Sequence, residues 1–374
     1  VQLPISSFYF KILNGVNNLD RADYNLEGIA PNKALLVEWL SSKEEAKIKE
    51  LFDWAYRVKA HNIGEKVFLR GLIEISNICS KNCYYCGIRG GNPLVERYEL
   101  TEDQVVAGAL FAYKSGYGSI VLQGGERSNS SFTKKITALV KKIKEVSGGK
   151  LGVTLSLGEQ SRDTFLEWYE AGAHRYLLRI ESSNPDIFRK IHPVDSKHDW
   201  ESRVNSLLDL QEIGYQTGTG VMIGLPFQSE EDLAEDLLFM RNFGVDMVGM
   251  GPYLSHSQTP MAKWNHRQPP LSLTLKMVAL LRLLMPKINI AATTAMQVVE
   301  SRGREMAIKA GANIIMPNMT LTQMRDKYLL YDNKPGVEED AEISKSKLES
   351  NLKEMGIEIG WGEWGDSKAF FERQ

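Results

Sequence analysis

Cys79, Cys83 and Cys86 stand in one short loop, Cys79-Ser80-Lys81-Asn82-Cys83-Tyr84-Tyr85-Cys86-Gly87, and the 374-residue chain holds no other cysteine. Their spacing is C-x3-C-x2-C, with the aromatic Tyr85 directly before the last thiol. Three thiolates this close can take a metal ion, share a disulfide or hold an iron–sulfur cluster. Structural zinc closes its site with four protein ligands, so a histidine or carboxylate from elsewhere would have to complete it. A disulfide leaves one thiol over and suits an exported chain. A 4Fe–4S cluster on three thiolates keeps one iron open, as a catalytic cluster needs.

Other stretches carry polar groups where a chemical site could use them. In Gln123-Gly124-Gly125-Glu126 two glycines admit close approach to the backbone just before a carboxylate. Arg179 and Glu181, in Arg175-Tyr176-Leu177-Leu178-Arg179-Ile180-Glu181, are costly to bury unless they pair with each other or with a ligand. Arg203 opens a helical stretch and, taken alone, reads as a solvated cation. Met222 lies in Gly220-Val221-Met222-Ile223-Gly224-Leu225-Pro226, which taken alone reads as an apolar strand end. Thr293 and Thr294 are adjacent hydroxyls that could satisfy backbone groups or, with Arg179, hold an anion. Tyr328 and Tyr331, three residues apart, could lid a cavity or pack beside it, and His256 reads as structural.

These residues need elements to position them. Strand-like runs cover 67–76, 119–123, 151–157, 175–180, 219–223, 247–251, 288–294 and 312–317. Helical patterns lie between them at 102–115, 131–146, 161–171, 199–213, 229–243, 271–285 and 300–310. Eight strands alternating with helices predict an α/β fold, a (β/α)8 TIM-type barrel, rather than an open doubly wound sheet. In such a barrel the chemistry sits at the carboxyl ends of the strands. The cysteine loop, the Gly-Gly-Glu stretch, Glu181 and the paired threonines all fall there. Ahead of the barrel, residues 1–62 read as a lead-in and a helical preface, with Ser41-Ser42 as a capped start of the second helix. The barrel proper is expected over 63–331, and 332–374 as an extension packed on it.

Composition narrows the function further. A net charge of −2 gives no sign of a nucleic-acid or membrane surface as partner. No apolar run approaches the ~20 residues that span a bilayer. Clustered cysteines without an export signal point to a reducing cytoplasm.

The cysteine loop followed one strand later by Gly-Gly-Glu resembles the radical S-adenosylmethionine (SAM) superfamily. Within it the chain is most similar to the HydE family of FeFe-hydrogenase maturases. The likeness runs from about Val67 to Tyr331 through TLSLGE, RYLLR-x-E, DMVG-x-GP, LTLKMVAL, ATTAM and GAN-x-IMPN. The resemblance implies one 4Fe–4S cluster on Cys79, Cys83 and Cys86, with SAM chelated at the open iron. Gly124, Gly125 and Glu126 then belong to the motif at the SAM amino group. Glu181 and Arg203 match polar SAM contacts, and Met222 and Tyr85 line the cofactor. Arg179, Thr293 and Thr294 match an internal anion and substrate site, and Tyr328 and Tyr331 match tyrosines near it; because a buried arginine needs an anion, a carboxylate-bearing substrate is expected there. The implied reaction is reductive cleavage of SAM to a 5′-deoxyadenosyl radical that attacks a cysteine-ligated iron carbonyl cyanide precursor. Other hydrogenase maturases and an electron donor are the implied partners. A methylornithine-synthase-like mutase is the alternative enzyme, and a binding or electron-transfer protein with a structural metal the alternative outside catalysis. A biotin-synthase-like enzyme needs ligands for a second cluster, and no cysteine is left for them.

Overall fold

A computed structural model describes residues 32–264 and 270–374. The predicted lead-in over residues 1–30 lies outside them. Two helices come first, α1 (Lys33–Ser41) and α2 (Glu45–Ile63). Asn32 caps α1 by accepting from the Ala34 N–H. The expected Ser41-Ser42 cap is not formed: α2 starts one turn later, from an extended Glu44 that makes no side-chain cap.

The barrel then runs β1 (Phe68–Ser76), α3 (Glu102–Lys114), β2 (Ser119–Gly124), α4 (Ser130–Val146), β3 (Gly152–Ser156), α5 (Arg162–Glu170) and β4 (Arg175–Leu177). It continues with α6 (Pro185–Ile191), α7 (Trp200–Ile213), β5 (Gln216–Thr219), β6 (Met222–Ile223), α8 (Glu230–Phe243), β7 (Met247–Val248) and β8 (Gly251–Pro252). The last repeats are α9 (Leu271–Leu284), β9 (Asn289–Ile290), α10 (Ala295–Val299), α11 (Gly303–Lys309) and β10 (Ile314–Ile315). Short α12 (Thr322–Arg325), then α13 (Ala341–Glu354) and α14 (Lys368–Glu372), end the chain. Side-chain caps start many of the barrel helices: Thr101 and Ser229 in reciprocal capping boxes, Asn129, Ser161 and Asp199 singly.

The eight-stranded sheet runs β10-β1-β2-β3-β4-β5-β7-β9, each pairing parallel. The Ala291–Ile314 bridge joins its two edges and closes the barrel. Strands buried on both faces read as near-continuous apolar runs, which is why β1 to β3 were clear in the sequence. The fifth and sixth predicted strands each break in two. A side chain at Gly220 would meet the Gly249 carbonyl oxygen at 2.0 Å, so the chains kiss at these glycines and restart as the β6–β8 pair. The fourth strand ends at Leu177 rather than at Ile180, and beyond it Glu181 takes a left-handed φ of 65°.

The carboxy-terminal segment closes the opposite, amino-terminal mouth of the barrel. Arg175, fully buried, donates to Trp364 O at 3.0 Å and pairs with Asp366. Arg70 and Asn289 both donate to Gly365 O, at 3.1 and 2.8 Å, and Gln216 accepts from the Ser367 N–H. This closure and the cysteine loop therefore lie at opposite ends of the barrel strands.

Candidate active site

The cysteine loop follows β1 directly, and all three cysteines are free and half-buried. Burial pushes each thiol up, Cys83 to about 12, so without a ligand the loop carries neutral thiols. Metal coordination supplies the positive charge that makes thiolates stable in such a place. Among the described residues no group of three His, Cys, Asp or Glu side chains converges to hold a single metal ion. The donor set, three thiols on one loop, fits a cluster that takes one thiolate at each of three irons.

Gly125 explains the double glycine after β2. A Cβ there would lie 2.4 Å from Ile78 O and 2.8 Å from Cys79 Cβ, so only glycine lets this strand end reach the loop. Next to it the Glu126 N–H donates to Cys79 Sγ at 3.4 Å, and Glu126 O accepts from Ser80 N at 2.8 Å. Gly124 continues the strand, in register with Ser76.

A ring of buried charge surrounds the loop. Lys81 pairs with Glu126 at 3.2 Å and with Glu159 at 2.8 Å, and Arg203 pairs with Glu159 and donates to Arg179 O at 2.7 Å. Burial holds Glu126 above the usual carboxylate range, against the pull of Lys81 and Arg203. Burial acts on Glu159 the same way, but Arg203 and Lys81 together bring it below that range. Arg203 is only 6% exposed, which corrects the solvated-cation reading. Its helix, α7, aims it inward at Glu159 and over the Phe188 ring.

Glu181 is buried and stands 2.9 Å from Arg179. Burial raises its carboxyl, with Arg179 and Arg203 opposing. The Glu181 contact is an ion pair through Arg179 Nη2, which also donates to Val221 O at 2.9 Å, while Arg179 Nε is buried without a hydrogen-bond partner. Strained backbone at Glu181 beside an unpartnered buried nitrogen on Arg179 marks a place that a ligand would complete.

The apolar wall is a cluster separate from the main core: Ile187, Ile191, Met222, Leu225, Tyr253 and Met261, with Tyr84, Tyr85 and Trp264 against it. It brings Met222 and Tyr85, far apart in sequence, to one side of the cysteine loop. The Tyr85 hydroxyl is 3.2 Å from His192 Nε2.

On the far wall the Thr293 hydroxyl donates to Met250 O at 3.1 Å, the backbone-satisfying role left open by the sequence, and Thr294 begins α10 without a side-chain cap. Tyr328 is buried, with its hydroxyl 3.4 Å from Gln123 Nε2. Tyr331 is half-buried. Burial raises its phenol, with Glu74 adding and Arg179 and Arg304 opposing. His256 packs under the loop, its ring occupying the space a Cβ at Gly87 would need. Sequence reasoning missed Lys81, Glu159 and the buried pair of Glu74 with Lys334, which reaches in from beyond β10. A lysine between two cysteines carries no sign of its burial, and Glu159 was visible only as the end of a strand motif.

Residues 73–240 match the radical SAM superfamily profile, and residues 240–348 match the biotin and thiamin synthesis associated domain. The chain is 41% identical over 357 residues to the [FeFe] hydrogenase maturase subunit HydE of Thermotoga maritima, covering 96% of this chain and 98% of that one. It is 26% identical over 343 residues to 3-methylornithine synthase of Methanosarcina acetivorans, covering 91% of this chain and 94% of that one. Its fold is similar to the crystal structure of a methylornithine synthase, with a TM-score of 0.76 at 24% identity over 93% of this chain and 97% of that one.

Proposed function

The chain belongs to the HydE family of the radical SAM superfamily, and on that premise we propose that it works in hydrogenase cofactor assembly on a cysteine-ligated iron carbonyl cyanide precursor. It is a radical SAM enzyme, and membership implies a 4Fe–4S cluster and SAM. The observation that carries the reading is the meeting of three thiols, the Lys81–Glu126–Glu159–Arg203 ring and the Tyr85–Met222 wall at one barrel mouth.

Cys79, Cys83 and Cys86 would hold a single cluster. With SAM bound, that pair supplies reductive cleavage to methionine and a 5′-deoxyadenosyl radical. The protein's own residues bind, orient and exclude water. Glu126 and Glu181 accept from the donors of SAM, and Arg203 donates to its anionic group. The Met222 and Tyr85 faces shield the apolar part of the cofactor, and Gly124 and Gly125 keep the strand end clear of it. Lys81 balances Glu126 and Glu159, so that the ring can stay ionised away from water.

Deeper in the mouth, Arg179, Thr293 and Thr294 would hold the substrate carboxylate, with Tyr328 and Tyr331 beside it. Arg179 already faces Glu181 at 2.9 Å, so an entering carboxylate shares its guanidinium, which has donors to spare. Other hydrogenase maturases would supply and receive the iron fragment, and a separate donor would supply the electron. Anaerobic co-expression with the other maturases and the hydrogenase tests the reading. Active hydrogenase is expected only when this chain is present. Equal activity without it, or turnover of lysine to methylornithine by the purified enzyme, contradicts it.

A further inference from the structure

Each of the five residues between the cysteines makes a hydrogen bond outside the loop, and one short segment supplies most of the partners. Ser80 donates to Glu126 O through both its N–H and its hydroxyl. The other four are all held from the end of α6 and the stretch that leads from it to α7. Lys81 donates to Lys197 O, the Asn82 N–H to His198 Nε2 at 2.9 Å, and the Tyr84 N–H to Ile191 O at 3.0 Å. The Tyr85 hydroxyl meets His192 Nε2 at 3.2 Å.

The hydrogen positions on both imidazoles follow from these partners. A backbone N–H can only donate, so His198 Nε2 accepts and carries no hydrogen. Its hydrogen is therefore on Nδ1, which donates to Asp195 Oδ1 at 2.6 Å. Asp195 is itself fixed, because the same oxygen accepts from the Lys197 N–H at 2.8 Å. His192 is ordered in the same sense: its Nδ1 donates to Phe188 O at 2.8 Å, which leaves Nε2 to accept from Tyr85. Both rings are buried, at 1% and 6% exposure, and lie 5.6 Å apart. A buried histidine whose two nitrogens have fixed opposite roles is an orienting device.

Resting on the reading of the cysteines as cluster ligands, we propose that His198, oriented by Asp195, is a positioning residue that sets the cysteine loop for cluster binding through the Asn82 amide. Asn82 directly precedes Cys83, so the amide that His198 fixes belongs to the Lys81–Asn82 peptide, one peptide unit ahead of that ligand. His198 hydrogen-bonds the Asn82 amide and Asp195 rather than a thiol, so it acts through loop geometry before and after the cluster arrives.

The test compares anaerobically reconstituted wild type with His198→Ala, His198→Gln and Asp195→Ala, each challenged with an iron chelator. Iron release and the cluster's visible absorbance are followed, and circular dichroism checks the fold of each variant. Glutamine offers an acceptor oxygen near the place of Nε2, so it should rescue. His198→Ala should release iron about fivefold faster or more, as loss of one net hydrogen bond implies. Asp195→Ala should show the same direction, since the ring is then free to change tautomer. His198→Gln should stay near wild type. Wild-type retention in His198→Ala overturns the proposal. So does equal loss in His198→Gln and His198→Ala, because then ring packing rather than the acceptor matters. Failure of wild type itself to take up about four irons would overturn the cluster reading instead, and the two failures are separate.

Discussion

Arg203 is the residue on which the charge balance of the site turns. It opposes Glu159 directly and lowers the cost of ionising Glu126 and Glu181, all in surroundings with little water. Removing it should weaken SAM binding about tenfold or more, since a hydrogen bond to a charged group is worth ~1.5–3 kcal/mol. Iron content of Arg203→Ala should stay close to the wild-type level, because Arg203 hydrogen-bonds Glu159 and Arg179 O rather than any of the three thiols. Equilibrium SAM binding to the reconstituted variant checks this, and normal affinity would return Arg203 to a structural role. Arg179 is tested differently. Arg179→Lys keeps the charge but loses the planar fork. It should keep SAM cleavage while product formation falls, the two measured side by side. If thermal stability drops and turnover per folded molecule does not change, the Arg179–Glu181 ion pair is structural and the substrate lies elsewhere. Thr293→Val should be read with it, because its hydroxyl already serves Met250 O.

Each site residue depends on an element that carries it into place, and two elements make separable predictions. Helix α8 presents Asp236, fully buried, to the loop after Glu181: Asp236 accepts from Ser183 N at 2.6 Å and from the Ser183 hydroxyl at 2.7 Å. Burial lifts its carboxyl from 3.8 to about 7, with Ser183 opposing. A carboxyl raised in the folded state binds more protons there than when unfolded. Its contribution is therefore present below about pH 4 and is lost as pH rises to about 7. Asp236→Asn should flatten that part of the curve of Tm against pH, and parallel curves for the two proteins would contradict it. At the other mouth, Asp366→Ala leaves Arg175 buried without its partner. Breaking a buried pair this way costs about 3–5 kcal/mol. Urea unfolding should show that loss, with iron content unchanged because the cysteine loop is on the opposite face. A wild-type unfolding midpoint would contradict it. What the sequence revealed of these elements also divides by physics. Strands β1 to β3 are long apolar runs buried on both sides, and their extents were readable within a residue or two. The breaks at Gly220 and Gly249 were not, because they come from two chains touching across the sheet.

Across the whole molecule the carboxy-terminal segment seals one mouth of the barrel and the cysteine loop stands at the other. Barrel class and the position of the cysteines were legible because both are local in sequence: a βα period and a spacing of three thiols. The ring around them was only half legible. Glu126 and Glu181 close motifs that directly follow predicted strands and so carry their own address. Lys81 and Lys334 do not, since each gains its meaning from a carboxylate brought near by folding, in the second case across 260 residues. The central claim is that this mouth is a radical SAM site built on Cys79, Cys83 and Cys86. The most direct measurement is 5′-deoxyadenosine formed from SAM after anaerobic reconstitution and reduction, with iron counted in the same sample. Wild type should hold about four irons and form it, and Cys79→Ala, Cys83→Ala and Cys86→Ala should each form none. Formation that survives in all three variants, or none from wild type loaded with its full iron, would contradict the account.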